Sequence, residues 1–191
     1  MKKIFMIAVM AVAAVSANAQ WYIGGAFGLD FTKANKDADA QTTLTIAPEV
    51  GYNINDKWAV GVDFGFSMAN NLYNAAKLSD NETGTSFGIG AYARYTFAQS
   101  GPVSFFVDGG VGFTSANYSL DTNQKYEESG SIFNIGLRPG LAFKASDKVS
   151  FVATTGYLGY RKYSDDVLGG GSKFGINVNN EALKFGFYYN F

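Results

Sequence analysis

The 191-residue chain has no cysteine and no histidine, contains only 3 prolines, and is poor in charge. Without cysteine there can be no disulfide scaffold, thiolate nucleophile, thiolate metal site or lipidated N-terminal cysteine. Without histidine the commonest general base and the commonest metal ligand are missing. Charged residues make up 16% of the chain, and the net charge of -1 provides no basic surface for nucleic acid.

Residues 1–19 have the pattern of a secretory signal. A basic start precedes the apolar stretch 4–15, and the small residues Ala17 and Ala19 follow it. This stretch is shorter than the ~20 residues that a membrane-spanning helix needs, which argues against an anchor. We therefore predict cleavage after Ala19 and export of one domain, residues 20–191.

Eight stretches of alternating residues follow the signal. Alternation of this length predicts a strand with one apolar face. The opposite faces are mostly glycine and other small residues, in keeping with a total of 23 glycines. The seventh stretch is the weakest, and its pattern places these residues on the apolar face: Phe151, Ala153, Thr155 and Tyr157. The eight apolar faces begin at Trp21, Leu44, Trp58, Phe87, Val103, Phe133, Phe151 and Leu183.

Side-chain volume decides which face points inward. The interior of an eight-stranded barrel is just wide enough for side chains to fill, so it has no room for the bulky face. An outward apolar face of this size suits lipid. The alternating pattern therefore predicts an all-β fold, an eight-stranded antiparallel up-and-down transmembrane β-barrel. The alternative, a soluble lipocalin-like barrel, needs the reverse orientation.

Short and long connections alternate along the chain, as short periplasmic turns and long extracellular loops do in such barrels. Both termini are then periplasmic. An aromatic girdle is expected near that boundary, formed by Trp21, Tyr52, Trp58, Tyr95, Phe97 and Phe143. The short connections are 55–57, 98–102 and 144–148, and the long ones are 32–42, 67–84, 114–131 and 160–182.

The chain resembles small Gram-negative outer-membrane barrels of the OmpX and OmpA transmembrane-domain type. The resemblance rests on the signal-like start, the eight alternating stretches and the ending Phe185-Gly-Phe-Tyr-Tyr-Asn-Phe191. It covers residues 20–191 and implies a porin-like barrel in outer-membrane lipid and lipopolysaccharide. It also implies that the barrel-assembly machinery recognises the terminal strand as its signal, through Leu183, Phe185, Phe187, Tyr189 and Phe191.

Seven charged residues occupy inward-facing positions. Counting from the nearest strand ends places five of them at nearly one level, which predicts an ion-pair belt in the lumen. The other two, Asp30 and Lys184, lie on the first and last strands near the opposite end, which predicts a pair across the seam. The belt consists of Glu49, Asp63, Arg94, Asp108 and Arg138.

Two interpretations of the belt stay open from the sequence. In one, the charges pair and seal the lumen, because an unpaired buried charge costs several kcal/mol. In the other, the excess of one acid makes a narrow, weakly cation-preferring porin-like channel. Four inward-facing aromatic residues would obstruct such a channel: Tyr22, Tyr92, Phe106 and Tyr188.

We do not expect an enzyme, a cofactor or a metal site. The outer-membrane barrel enzymes that the resemblance would suggest rely on histidine, and the chain has none. The acidic pairs at 127–128 and 165–166 are interpreted as solvated loop charges. The segment 169–173 lacks the flanking strand and helix of a phosphate loop and is interpreted as a hairpin tip.

The remaining roles are structural support of the membrane, and adhesion or ligand binding through the extracellular loops. Phe174, Ile176 and Val178 alternate with Gly175 and Asn177. Strand eight is therefore expected to begin near Lys173 and to project above the bilayer. An exposed edge of this kind could pair with a strand of an extracellular partner.

Overall fold

The computed structural model describes residues 20–32, 41–70, 82–121, 125–164, 171–177 and 184–191. Every regular element in these ranges is a β-strand. None of the described residues forms a helix that could cross a membrane. The strands are β1 (Trp21–Thr32), β2 (Gln41–Asn53), β3 (Trp58–Asn70), β4 (Glu82–Ser100), β5 (Val103–Asp121), β6 (Lys125–Lys144), β7 (Val149–Thr154), β8 (Tyr157–Tyr163), β9 (Gly171–Asn177) and β10 (Lys184–Asn190).

The sheet closes on itself. Successive strands from β1 to β6 pair antiparallel, β6 pairs with β7, and β7 pairs with β10. The ring is completed where β10 pairs with β1, with Gly24 opposite Tyr188. β7 and β8 both pair with β6 and form the seventh barrel strand, and β9 and β10 belong to the eighth. The predicted closed, eight-stranded antiparallel barrel is confirmed.

The outward orientation of the bulky face is also confirmed. Phe87 and Phe66 are cross-strand partners on the outside, and both are exposed. The alternating inner face supplies the only hydrophobic core found among the described residues, and that core lies in the lumen. Its members are Tyr22, Ala59, Phe106, Val152 and Tyr188.

One end of the barrel carries the short turns, and we call it the short-turn end. The side-chain oxygen of Asn55 accepts hydrogen bonds from the backbone N–H groups of Lys57 and Trp58, each at 2.9 Å. Such a side chain replaces missing ladder partners and favours a tight turn. Aromatic pairs lie at the same end, with ring centroids 5.1 Å apart for Trp21–Tyr52 and 4.8 Å apart for Trp58–Tyr95.

The predicted long connections are shorter than expected, because the strands continue into them. β5 extends to Asp121 and β6 begins at Lys125, so most of 114–131 is a paired hairpin. β4 already begins at Glu82 and β8 reaches Tyr163. Alternation fades in these extensions because a wall above the lipid needs no apolar face, although its backbone ladder can continue. We call this the long-hairpin end.

The seventh strand contains a bulge that the alternation did not predict. β6 pairs Gly140 with Thr154 and Leu137 with Leu158, so one extra residue lies on the β7–β8 side. Gly156 has a φ of 71° there, a conformation that glycine adopts readily. The extra residue reverses the faces, and the predicted outward position of Tyr157 is wrong: its side chain lines the lumen.

The early start of strand eight is confirmed. β9 begins at Gly171 and pairs with β8, with Lys173 opposite Arg161. Gly171 and Lys173 therefore belong to a strand, which corrects the interpretation of 169–173 as a hairpin tip. On the outer face of β9, Phe174 is 74% exposed and Ile176 is 71% exposed.

Candidate functional site in the lumen

An ion pair lies at the centre of the lumen. Arg94 on β4 stands directly opposite Asp108 on β5. The Nε and a terminal nitrogen of Arg94 donate to the two carboxylate oxygens of Asp108, at 2.7 and 2.9 Å. Both residues are more than nine-tenths buried. A two-pronged contact of this kind is the strongest geometry that an arginine and a carboxylate can adopt.

The ion pair is extended by other side chains that close around it. The same terminal nitrogen of Arg94 donates to the Tyr188 hydroxyl at 3.0 Å and lies 3.8 Å from a carboxylate oxygen of Glu49. The Tyr92 hydroxyl donates to Glu49 and also contacts the Tyr22 hydroxyl. Among the described residues, no buried side-chain nitrogen or oxygen lacks a hydrogen-bond partner.

Aromatic rings fill the space around these polar atoms. The guanidinium carbon of Arg94 lies 3.9 Å from the centroid of Phe106, a cation–π contact. Phe106 and Tyr22 are 1% and 3% exposed. We call this group the central cluster; its members are Tyr22, Glu49, Tyr92, Arg94, Phe106, Asp108 and Tyr188.

Glycines on the inner face make room for the rings. The Tyr92 ring lies where a side chain at Gly61 would be, and the Phe106 ring lies where one at Gly140 would be. Tyr22 occupies the equivalent space at Gly51. A large ring on one strand therefore faces a missing side chain on another, which lets the narrow lumen hold several aromatic residues.

The five residues of the predicted belt divide into two groups. Glu49, Arg94 and Asp108 come together in the central cluster. Asp63 lies opposite Glu49 and Arg138 lies opposite Asp108, so both are neighbours in the sheet. Within the described part of the chain, however, no salt bridge involves Asp63 or Arg138, and both line the lumen on the long-hairpin side of the cluster.

In the predicted seam pair of Asp30 and Lys184, the side chain of Asp30 lies outside the described residues. Lys184 does line the lumen. The charged side chains that interact electrostatically with the Lys184 ammonium are those of Arg138, Asp63 and Arg161. Lys184 thus lies among the same charges as the outer part of the predicted belt.

A cavity of about 510 Å³ lies on the long-hairpin side of the central cluster. Its charged wall includes Asp63, Arg138, Lys184 and Arg161. Arg161 was missed by the sequence analysis, which placed it in a long connection. If the alternation is shifted by one residue at Gly156, Tyr157, Gly159 and Arg161 fall on the inner face, so the signal was present but interrupted.

The terminal strand has the outward apolar face expected of an assembly signal. Phe185, Phe187 and Tyr189 are 64%, 58% and 37% exposed. Leu183 lies outside the described residues. The ring centroids of Tyr189 and Phe191 are 5.3 Å apart. Recognition of this face by the assembly machinery stays a prediction.

Two of the lumen carboxylates are already engaged by neighbouring side chains. The Asp108 carboxylate is bound on both oxygens by Arg94, and Glu49 is held between Arg94 and Tyr92. No group of three acidic side chains that could hold a metal ion occurs in the described ranges. The geometry is that of a packed, hydrogen-bonded interior.

Comparison with known proteins gives one family and several relatives. The model of the family "Outer membrane protein beta-barrel domain" matches residues 4–191. A protein of Haemophilus influenzae described as "Uncharacterized protein" is 25% identical over 188 residues, which cover 94% of this chain and 99% of the relative.

The fold is similar to that of solved outer-membrane barrels. The crystal structure of Neisserial surface protein A has a TM-score of 0.52 and 17% identity, with coverage of 91% of this chain and 98% of that one. The attachment invasion locus protein of Yersinia pestis, Ail, has a TM-score of 0.49 and 19% identity, with coverage of 90% and 97%. At 17% identity, the likeness to Neisserial surface protein A shows the fold alone.

Proposed function

Since this chain belongs to the outer membrane protein beta-barrel family, we propose that it is a non-enzymatic, structural protein of the outer membrane. Its lumen is closed by the central cluster. The observation that carries this proposal is the buried contact of Arg94 with Asp108, Glu49 and Tyr188 in one cross-section. Every polar group there has a partner inside the barrel, so no water column is needed to solvate it.

Orientation and surroundings follow from the two ends of the barrel. The short-turn end with its aromatic pairs is proposed to face the periplasm, and the long-hairpin end the outside. Lipid and lipopolysaccharide then surround the exposed apolar face. The outward side chains of Phe185, Phe187 and Tyr189 support recognition of the last strand by the barrel-assembly machinery, after cleavage of the signal 1–19.

A barrier assay tests the structural role. The gene is deleted from its native bacterium, and entry of an apolar dye and sensitivity to detergent are measured. The unchanged chain should restore the barrier, and so should a chain lacking 167–179, because β9 (Gly171–Asn177), the described part of that segment, pairs with β8 and is not one of the strands that close the ring. A deletion strain whose barrier is intact under membrane stress would contradict the structural role.

A cation-preferring channel is an alternative that relied on the excess of one acid in the belt. Arg161 adds a cation to the lumen that the sequence analysis did not count. The described lumen charges are now three acids, Glu49, Asp63 and Asp108, against four bases, Arg94, Arg138, Arg161 and Lys184.

Surface interaction through the β8–β9 hairpin is the second candidate. It is supported by the outward position of Phe174 and Ile176, two apolar residues on a hairpin that extends the wall. Apolar side chains on such a projecting strand suit a partner that adds a strand or packs against it. Deletion of 167–179 should abolish adhesion to cells or matrix. Unchanged adhesion to every surface tested would remove this candidate.

A further inference from the structure

We propose that the cavity on the long-hairpin side of the central cluster binds a small phosphate-type oxyanion. The proposal goes beyond the structural role, since a protein that only supports the membrane needs no ligand. The site consists of Arg138, Arg161 and Lys184, three cationic side chains that line one cavity together with the carboxylate of Asp63. The same cavity is also lined by Glu49 and Asp108, and both of these carboxylates contact Arg94.

The cavity and the central cluster, which lies on its short-turn side, differ in their balance of charges. In the cluster, the single guanidinium of Arg94 contacts two carboxylates, those of Asp108 and Glu49. Among the described residues that line the cavity, four bases face three acids, and the three bases other than Arg94 share only the carboxylate of Asp63. Positive charges enclosed by low-dielectric walls attract an anion more strongly than the same charges on an open surface.

The chemistry of the three side chains suits an oxyanion with several oxygens. Arginine presents a planar fork of N–H donors that matches phosphate, and lysine adds a compact positive charge. The side chains of Asn134 and Thr114 line the same cavity and add neutral polar groups. The volume of about 510 Å³ leaves room for such an anion with several waters.

The bulge of the seventh strand positions one of the three cations, Arg161. The guanidinium carbon of Arg161 lies 4.5 Å from the centroid of the Tyr157 ring. The Tyr157 hydroxyl donates to the backbone carbonyl of Tyr160 at 3.2 Å. The Tyr157 ring and the Arg161 guanidinium lie on the inner face only because of the extra residue near Gly156. An irregularity of the sheet therefore places a cation at the cavity.

Titration with inorganic phosphate tests the proposal. The protein is purified in a phosphate-free, non-ionic detergent, and the heat of binding is measured against chloride at matched ionic strength. We expect saturable binding. Arg161→Gln should weaken it by about tenfold, the loss expected for one charge-assisted contact. Lys57→Gln, which removes an exposed charge from a turn at the other end, should leave it unchanged.

A second variant changes binding in the opposite direction. Asp63→Asn removes the competing carboxylate and should tighten phosphate binding severalfold, a gain that damage to the fold would not produce. Each variant is first checked for the heat-dependent gel mobility of a folded barrel. If Arg161→Gln does not fold, Asp63→Asn alone decides: tighter binding supports the site, and unchanged or weaker binding overturns it.

The absence of saturable binding, or an equal effect of Arg161→Gln and Lys57→Gln, would also overturn the proposal. The phosphate could be free or carried on a lipid headgroup. Adding an anionic phospholipid to the micelles distinguishes these sources. Competition with inorganic phosphate would support the site and assign it to a headgroup, whereas an unchanged affinity would support the site for the free anion.

Discussion

Arg94 and Asp108 face each other on adjacent strands, and two guanidinium nitrogens contact the two carboxylate oxygens at 2.7 and 2.9 Å. The same arginine reaches Tyr188 on the last strand of the ring. Contacts of one side chain thus connect β4 and β5 to the opposite wall of the barrel, next to the seam where β10 meets β1. We regard Arg94 as the residue on which the closed lumen depends.

Replacement of Arg94 by glutamine should destabilise the barrel strongly. The variant leaves the buried carboxylates of Asp108 and Glu49 without their cation, a loss of about 3–5 kcal/mol in comparable buried pairs. The free energy of unfolding is measured by urea titration in detergent. Adding Asp108→Asn should recover part of the loss, because it neutralises one of the stranded carboxylates. A change below about 0.5 kcal/mol, typical of surface sites, would contradict the account.

Two glycines on β3 provide a matched pair for packing. A side chain at Gly61 would collide with the Tyr92 ring, whereas one at Gly65 meets nothing within 4 Å. Gly61→Ala should therefore reduce the free energy of unfolding by about 1–3 kcal/mol, as overpacking does. It should also alter the near-ultraviolet circular dichroism of the tyrosines. Gly65→Ala should do neither, and equal effects of both variants would show that the rings are not packed as described.

The bulge in the seventh strand requires glycine. Gly156 has a φ of 71°, where a side chain costs about 1–2 kcal/mol. Gly156→Ala should lower the free energy of unfolding by that amount. Gly175 lies on a regular strand with open space around it, so Gly175→Ala is the control. If both substitutions are equally tolerated, the bulge does not depend on a left-handed residue.

The turn between β6 and β7 should show a small pH effect. The Lys144 ammonium lies 2.9 Å from the Asp147 carboxylate and holds the pKa of Asp147 below its ordinary value. A lowered pKa means that the pair stabilises the fold above the pKa of the unfolded chain and is lost as the pH falls through the folded pKa. Both side chains are exposed, so the effect is small.

Nuclear magnetic resonance titration of the Asp147 carboxyl provides the measurement. In Lys144→Gln the pKa of Asp147 should rise toward its ordinary value, whereas Lys57→Gln should leave it unchanged. An Asp147 pKa that is the same in both variants and in the unaltered chain would show that the turn does not hold this ion pair in solution.

Much of the fold could be predicted from the sequence, because each barrel strand must alternate where it crosses lipid. Side-chain volume correctly predicted that residues such as Phe66 and Phe87 point outward. The extensions of β5 and β6 could not be predicted in the same way, since the wall outside the lipid has no apolar face to reveal it. The bulge at Gly156 escaped because one inserted residue reverses the pattern of every residue after it.

The site was predicted less completely for a related reason. Counting along strands placed Glu49, Arg94 and Asp108 near one another, but it could not tell which pairs would touch. Contacts across the lumen, such as that of Arg94 with Tyr188, depend on the tilt and stagger of strands far apart in the chain. Arg161 lay beyond the bulge and therefore outside the predicted lumen.

The most direct test of the closed lumen is the single-channel conductance of the folded protein in a planar bilayer. Gel mobility first confirms the folded barrel, and the protein is then inserted at low concentration. A closed lumen should give a silent membrane for the unaltered chain, and conductance steps should appear once Phe106→Ala and Tyr92→Ala together remove two rings of the central cluster. Steady conductance through the unaltered barrel would contradict the closed lumen and make the cluster part of a channel.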